Sequence, residues 1–513
     1  MVRLYDYQLI AIEKIQAAFK SGNKRVLLQS PTGSGKTIIF THIASLVTKK
    51  HKKVVIISHR LELLAQAGGT MEKFNIKPQL ITSKEKTIKN EMVTIAMNGT
   101  LRNRLNLIEC KKWWNNISLI IIDECHRCEY VWIKDFEKGK YKLGVSATPL
   151  RSGNMPQLKT EYDHFIPGLQ IKELIKINKL LPDYYFGVPI DLKGVKKDKF
   201  GEFQKNHLFD RFNNKRCYSG IVENWIKYAN GLCTIVFCVN IQHCIETCKV
   251  LNEAGIGAKF ITSPLSKPNE PPKTKQENPA LWTRYNRKLN EYNTYKKFYP
   301  IYSGNRDKII KSWKNEEFPV IINAGIAIEG FDHPPIMCVI VYLATTSQNK
   351  WLQMVGRGSR VLPEKKEFIL LDFGNNAERL GHYQSNREFS LQHKEKNSNG
   401  NIPYKNCKKC ESLIFISSKI CSFCGYEYQN KKKNEFVELV AEKTKGKNAR
   451  TIDISKMSFK EIEIFAKIKG YKSQWIWRSI YFTYGMNALK EYGKYKGYST
   501  AWLKFILKKY NYV

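Results

Sequence analysis

The sequence predicts an α/β protein with two parallel-sheet domains, followed by a small cysteine module and a basic, mostly helical tail. Three observations carry that prediction. A glycine loop stands between an apolar run and a helix-like run. Short unbroken apolar runs end in carboxylates or hydroxyls. Two Cys-x-x-Cys pairs precede a tail crowded with lysines and aromatic rings. Unbroken apolar runs of strand length mark strands buried on both faces, the pattern of parallel sheets covered by helices.

The first element is Ser30-Pro31-Thr32-Gly33-Ser34-Gly35-Lys36-Thr37, behind Val26-Leu27-Leu28 and ahead of Ile38-Ile39-Phe40-Thr41-His42-Ile43-Ala44. Strand, glycine loop and helix in that order make a phosphate cradle. The glycines let successive N–H groups turn inward without a Cβ clash, and the helix N-terminus adds partial positive charge. In this frame Lys36 reaches the outer phosphates of a nucleotide, and the Thr37 hydroxyl is a Mg²⁺ ligand. Ser30 departs from the Walker pattern, which has glycine there.

The second element is Ser118-Leu119-Ile120-Ile121-Ile122, ending in Asp123-Glu124-Cys125-His126. A carboxylate at the carboxyl end of a central strand beside a phosphate loop supplies Mg²⁺ with a second protein contact. Asp123 takes that role, and Glu124 is placed to orient and polarise the attacking water. Gly144-Val145-Ser146-Ala147-Thr148-Pro149 is a further strand ending in hydroxyls and a proline. In Gln353-Met354-Val355-Gly356-Arg357-Gly358-Ser359-Arg360, two arginines lie three apart. Like charges at that spacing repel, so the pair suits an anion, such as a transferring γ-phosphoryl group.

With these residues in this order, the sequence resembles the superfamily-two helicases, with a second motif reading DECH, from the first residues to about residue 375. Leu4-Tyr5-Asp6-Tyr7-Gln8 is similar to the family's N-terminal element, which implies that Gln8 reads the adenine edge. Ser58-His59-Arg60-Leu61-Glu62-Leu63 and Thr94-Ile95-Ala96-Met97-Asn98-Gly99-Thr100-Leu101 resemble motifs Ia and Ib, which touch the nucleic-acid backbone. Thr234 to Cys238 resembles motif IV, Ile326 to Asp332 motif V, and Gln353 to Arg360 motif VI. The resemblance implies two RecA-like domains with ATP and Mg²⁺ between them. It makes Lys36, Asp123, Glu124, His126, Gln353, Arg357 and Arg360 the catalytic set, the last two as arginine fingers. Nucleotide contacts fall to Gln8, Thr32, Gly33, Ser34, Gly35, Lys36, Thr37, Asp123, Gly330 and Asp332, of which Gly330 and Asp332 link nucleotide to nucleic acid. A finer likeness is to RadD-type repair helicases, on Asp123 to Arg127, Ser146 to Arg151, Ile171 to Ile175 and Glu329 to Pro335. Ser359 departs from that pattern, where a large apolar residue is expected, and the tail differs in length and content.

Bulk charge points to the partner. The chain has 513 residues and a formal net charge of +39. Such a surplus implies a polyanion, because self-repulsion otherwise destabilises the fold. DNA with a single-stranded portion is the expected partner. A membrane surface is not, since no amphipathic anchor or long apolar span is found. Tyr5-Asp6-Tyr7-Gln8 puts polar residues where a signal peptide is apolar. The 13 cysteines are odd in number and mostly scattered singly. That usage suits a reducing compartment, so a cytoplasmic, non-secreted protein is expected.

Along the chain, residues 1–165 read as the first, ATP-binding domain, 166–214 as a connecting segment and 215–385 as the second domain. Within it, 264–302 is an insertion with a proline-rich start and a basic, aromatic remainder. It is either a solvated loop with a packed helix or a nucleic-acid contact. Residues 386–402 read as a linker. In 403–430, Cys407, Cys410, Cys421 and Cys424 supply four thiolates at zinc-ribbon spacing, so a structural Zn²⁺ is expected. The tail, 431–513, carries 19 Lys+Arg against 7 Asp+Glu. Most of its rings are expected to form a helical core, with Lys472, Arg478, Lys494 and Lys496 facing a strand of nucleic acid.

The functional expectation is an ATP-dependent DNA helicase or translocase acting in repair, recombination or replication. The alternatives are an RNA helicase and a DNA-structure clamp switched by ATP without strand separation. A restriction motor ranks lower, as no PD…ExK nuclease constellation stands out.

Overall fold

The computed structural model describes residues 4–59, 61–85, 87–151, 155–188, 190–270, 279–325, 332–392, 404–406, 413–415, 426–427, 458–468 and 473–496. Two compact units divide the chain, Met1–Tyr426 and Glu427–Val513.

The larger unit holds two sheets. The first consists of β1 (Arg25–Gln29), β2 (Lys53–Ser58), β3 (Gln79–Ile81), β4 (Val93–Met97), β5 (Ile117–Asp123), β6 (Tyr141–Ser146) and β7 (His164–Ile166). Their order is β3-β4-β2-β5-β6-β1-β7, and every pairing is parallel. Alternate residues feed opposite cores. Val26, Leu28, Val54, Ile56, Leu119 and Ile121 pack on one face with the helix Lys36–Thr48. Leu27, Val55, Ile57, Ile120 and Ile122 pack on the other with Trp113 and Trp114. Each such buried aliphatic side chain contributes about 1.5–3 kcal/mol, so the continuous apolar runs fix both layers.

The second sheet contains β8 (Asp183–Gly187), β9 (Thr234–Cys238), β10 (Ala258–Ile261), β11 (Val320–Asn323), β12 (Cys338–Tyr342) and β13 (Phe368–Asp372). Its order is β10-β11-β9-β12-β13-β8, again parallel throughout. β8 comes from the stretch expected to connect the domains. Tyr185 enters one core of this sheet and Phe186 the other, so the period-2 pattern makes the segment an edge strand. The helix Ile171–Lys176 also packs into this lobe through Ile171 and Leu174.

The insertion and the start of the expected linker are both structured. The insertion contains the helix Pro279–Tyr302, whose Tyr295, Phe298, Tyr299 and Tyr302 pack on the second-lobe core. Its Arg284, Arg287, Lys288, Lys296 and Lys297 are exposed. Residues 386–392, at the start of the expected linker, are packed rather than loose: Arg387 is buried, and the Leu391 carbonyl accepts from the Lys159 N–H. Five backbone carbonyls between Leu380 and Ser385 receive the Arg387 guanidinium, which is why the chain turns there.

Leu413–Phe415 pairs antiparallel with Tyr404–Asn406. The four cysteines expected to hold zinc lie outside the described residues, as does Gly330. In the second unit, the helices Phe459–Ile468 and Ser473–Tyr495 bury Ile462, Ala466, Ile480, Leu489 and Tyr492. Lys496 pairs with Glu463 at 3.0 Å, whereas Lys494 is exposed. No described helix is long and apolar enough to cross a membrane.

Candidate nucleotide site between the two lobes

In a parallel sheet every strand ends at the same edge. The first sheet therefore brings the loops after β1, β5 and β6 together, with β6 between the other two. The β1 loop turns on Gly33 and Gly35, at φ 90° and 84°. A Cβ on Gly33 would come within 2.8 Å of Leu180, and one on Gly35 within 2.4 Å of the Gln8 amide. Both glycines are thus required by backbone angle and by space. Ser30, the departure from the Walker pattern, hydrogen-bonds the Ser34 hydroxyl at 2.6 Å, and Ser34 Oγ donates to the Pro31 carbonyl. The hydroxyl pair pins the loop where glycine would leave it free.

Gln8 is buried behind this loop. Its Nε2 donates to the Ser34 carbonyl at 3.3 Å, beside the Tyr7 hydroxyl at 2.8 Å, while its Oε1 accepts from the Tyr5 N–H. Burial pushes the Tyr7 phenol up to about 12, so it stays a donor to that carbonyl.

Asp123 closes β5, and its Oδ1 accepts from the Glu124 N–H at 3.0 Å. Glu124 adopts φ 51°, a left-handed conformation that costs a residue with a side chain about 1 kcal/mol. That turn aims its carboxylate back across the loop, 3.9 Å from Lys36 Nζ. The pair is loose. His126 Nδ1 lies 2.8 Å from Ser146 Oγ and 3.4 Å from Glu124, and its Nε2 meets the Asn349 side chain of the second lobe. Asn349 sits on the helix Gln348–Val355, one turn before Gln353, which is buried beside it.

Arg357 and Arg360 follow that helix and line the same cleft as Thr32, Gly33, Lys36, Thr37, Asp123 and Glu124. The cleft holds about 500 Å³ and is bounded by Asp332 as well, 3.6 Å from Arg360 Nε. Thr70 and Lys73, which no sequence pattern singles out, line it from the first lobe.

Three further groups hold the site and lacked a clear sequence signal. Arg151 is 5% exposed and Glu161 2%. The Arg151 Nη1 to Glu161 distance is 2.5 Å, and the guanidinium also donates to the carbonyls of Cys125, His126 and Arg127. It therefore carries the whole DECH turn. Lys365 donates to the carbonyls of Pro334, Ile336, Gly358 and Arg360, tying the arginine loop to the segment after Asp332. Burial, with Arg360 nearby, pulls its ammonium down to about 8. Glu202 accepts from the Thr346 N–H and pairs with Lys350 at 3.1 Å, bracing the start of the helix that bears Asn349.

The motif Ia and Ib segments meet the turn that follows DECH. Tyr130 Oη lies 3.4 Å from His59, and Asn98 bridges the Glu129 carbonyl and the Trp132 indole N–H. Cys125 is fully buried, and burial pushes its thiol far above the ordinary range, so it serves as packing.

The profile of the res subunit of type III restriction enzymes matches residues 1–151. That match falls on the half-site bearing Lys36 and the DECH turn. Together with the site, that match makes the superfamily-two DExH-type helicases the group this chain is similar to. These are ATP-hydrolysing enzymes. The putative ATP-dependent helicase IRC3 of Saccharomyces cerevisiae is 28% identical over 394 residues, covering 72% of this chain and 51% of that one. The chain thus spans about half the length of that yeast relative. The DNA 3'-5' translocase XPB2 of Sulfurisphaera tokodaii is 22% identical over 402 residues, 72% of this chain and 81% of that one. Among solved structures, a fragment of a putative HsdR subunit of a type I restriction enzyme from Vibrio vulnificus superposes with a TM-score of 0.51. It is 20% identical and covers 72% of this chain and 64% of its own, a likeness of fold.

Proposed function

We propose that the chain is an ATP-driven helicase-type motor on DNA, with hydrolysis gated by closure of its two lobes. One observation carries the reading. Lys36, Asp123 and Glu124 from one lobe and Arg357 and Arg360 from the other line a single cleft. The residues fit a Mg²⁺-bound nucleoside triphosphate. Four cations converge there, and the loose Lys36–Glu124 pair leaves its ammonium available to a polyanion.

In this reading Lys36 and the loop N–H groups hold the phosphates, and Thr37 and Asp123 hold the metal. The triphosphate supplies the hydrolysable anhydride and the metal neutralises its charge. Glu124 orients water, and the arginines stabilise charge that develops on transfer. Gln8 fixes the loop that the nucleotide touches. His126 links Glu124, Ser146 and Asn349, so lobe closure and hydrolysis are coupled through one imidazole. Nucleic acid lying over motifs Ia and Ib biases the same turn through Tyr130 and Trp132. DNA is favoured over RNA by the relative named a DNA translocase, and the net charge of +39 supports a polyanionic track. The RadD-type likeness, and with it a role in DNA repair, rests on the motif residues. The zinc ribbon rests on the spacing of Cys407, Cys410, Cys421 and Cys424.

Steady-state ATP hydrolysis titrated with single-stranded DNA, duplex DNA and RNA tests the proposal, with Lys36→Ala as background. Stimulation by DNA that disappears in the variant is expected. Stimulation by RNA alone overturns the DNA assignment. Slow hydrolysis, flat with every polymer, overturns the motor.

A further inference from the structure

The edge of the first sheet opposite the nucleotide cleft carries a second opening, of about 760 Å³, larger than the cleft itself. It lies where β2, β5 and β6 begin, under the carboxyl ends of the helices Asp6–Lys20 and Lys36–Thr48. Its floor is apolar. Phe19, Leu46, Val47 and Tyr141 line it, with Ile43 and Leu119 buried beneath them. Tyr141 is 41% exposed and stacks edge-on against Phe19, 5.1 Å between ring centres. Solvent-facing rings over an aliphatic floor form a surface that gains by being covered.

The rim has one sign of charge. Lys20, Lys50, Lys52, Lys138 and Lys140 line the opening, and no carboxylate does. Lys20 lies in the last turn of a helix, where a cation offsets exposed carbonyls, so it has a local reason to be there. Lys52, Lys138 and Lys140 come from a strand approach and a turn, where that reason does not apply. Lys140 is the most informative. It is 8% exposed, and its Nζ donates to the carbonyls of Ile117 at 3.0 Å and Asn115 at 3.4 Å. Among the described residues no carboxylate pairs with it. A buried ammonium held by two carbonyls and by the face of Trp114, 5.8 Å from the ring centre, leaves positive potential at the groove floor.

We infer that this groove docks an acidic protein segment that inserts a large apolar side chain between Phe19, Leu46 and Tyr141. Charge complementarity selects an anion, and the apolar floor selects a peptide over a nucleic-acid backbone, whose phosphates would leave that floor uncovered. The groove lies away from motif Ia, which starts at the end of β2, and motif Ib, which runs from β4 into the helix Asn98–Arg104, at the other edge of the sheet. Docking there leaves the nucleotide cleft and the track accessible, so the bound partner recruits or delivers the motor without competing for its substrate.

The test is fluorescence anisotropy on the full chain with the probe fluorescein-Glu-Asp-Asp-Leu-Phe-amide, beside a probe in which Leu and Phe are Ala. Two variants are compared: the double substitution Lys50→Glu, Lys138→Glu, and the single substitution Tyr141→Ser. All three sites are exposed, and thermal unfolding and ATP hydrolysis are expected to match wild type. The first probe is expected to bind wild type, and each variant to weaken it by roughly tenfold. The alanine probe is expected to bind roughly tenfold more weakly than the first. Equal binding of both probes, or binding unchanged in the variants, overturns the proposal. So does a charge-reversed variant that weakens a single-stranded oligonucleotide while leaving the peptide unchanged, which would make the groove a nucleic-acid surface.

Discussion

Replacing Arg151 by methionine separates the support of the DECH turn from its chemistry. Arg151 and Glu161 form an ion pair whose side chains are each 3% exposed, too deep for water to screen. Removing one partner of such a pair costs about 3–5 kcal/mol, because the other charge stays buried and uncompensated. For a lobe of this size that loss lowers the melting temperature by roughly 10 °C. Adding Glu161→Leu removes the stranded carboxylate, and a buried pair replaced by apolar side chains is often close to neutral, so roughly half or more of the loss returns. The carbonyls of Cys125, His126 and Arg127 are still without their guanidinium in the double variant. Thermal or urea unfolding read beside ATP hydrolysis resolves the two effects. Stability is expected to recover in the double variant while hydrolysis stays low. Recovery of both would refute the claim that Arg151 positions the catalytic turn.

Four other outcomes follow from the site. Lys36→Ala is expected to reduce ATP hydrolysis by about 100-fold or more, measured at saturating ATP. Asn349→Ala removes the second-lobe contact to His126, and is expected to lower nucleic-acid-stimulated hydrolysis more than basal hydrolysis. Lys365, held near 8 by burial against 10.5 for the ordinary side chain, loses its proton as pH rises through 8. Hydrolysis is expected to fall there as the arginine loop loosens, and Lys365→Arg to move that limb upward. The stability effect runs the other way: the unfolded chain binds more protons between pH 8 and 10.5, so the cost of burying the ammonium, full below pH 8, is relieved across that window. Metal analysis of the purified chain is expected to find one zinc per chain, lost in Cys407→Ser with Cys410→Ser.

The lobes were legible because their strands are unbroken apolar runs and their functional side chains stand at strand ends. Asp123 and Lys36 needed only that rule. The supporting groups obey no such rule. Lys365 lies in Pro363-Glu364-Lys365-Lys366-Glu367, which reads as a solvated charged turn, yet its stem runs inward and its ammonium meets four carbonyls. Glu161 finds Arg151 through an irregular turn, where sequence spacing carries no geometry. Asn349 is one helical turn from Gln353, and only the packed lobes show which of the two reaches His126. β8 was hidden for a different reason. Its aromatic residues suited either a strand or a packed linker, and only pairing with β13 separates them.

Displacement of a third strand from a triplex by the chain moving along the duplex tests the central claim most directly, with ATP compared against a non-hydrolysable analogue. The account predicts displacement that requires hydrolysis and disappears in Lys36→Ala. Displacement with the analogue, or DNA-stimulated hydrolysis without displacement from either duplex or single-stranded track, would contradict a motor and leave a nucleotide-switched clamp.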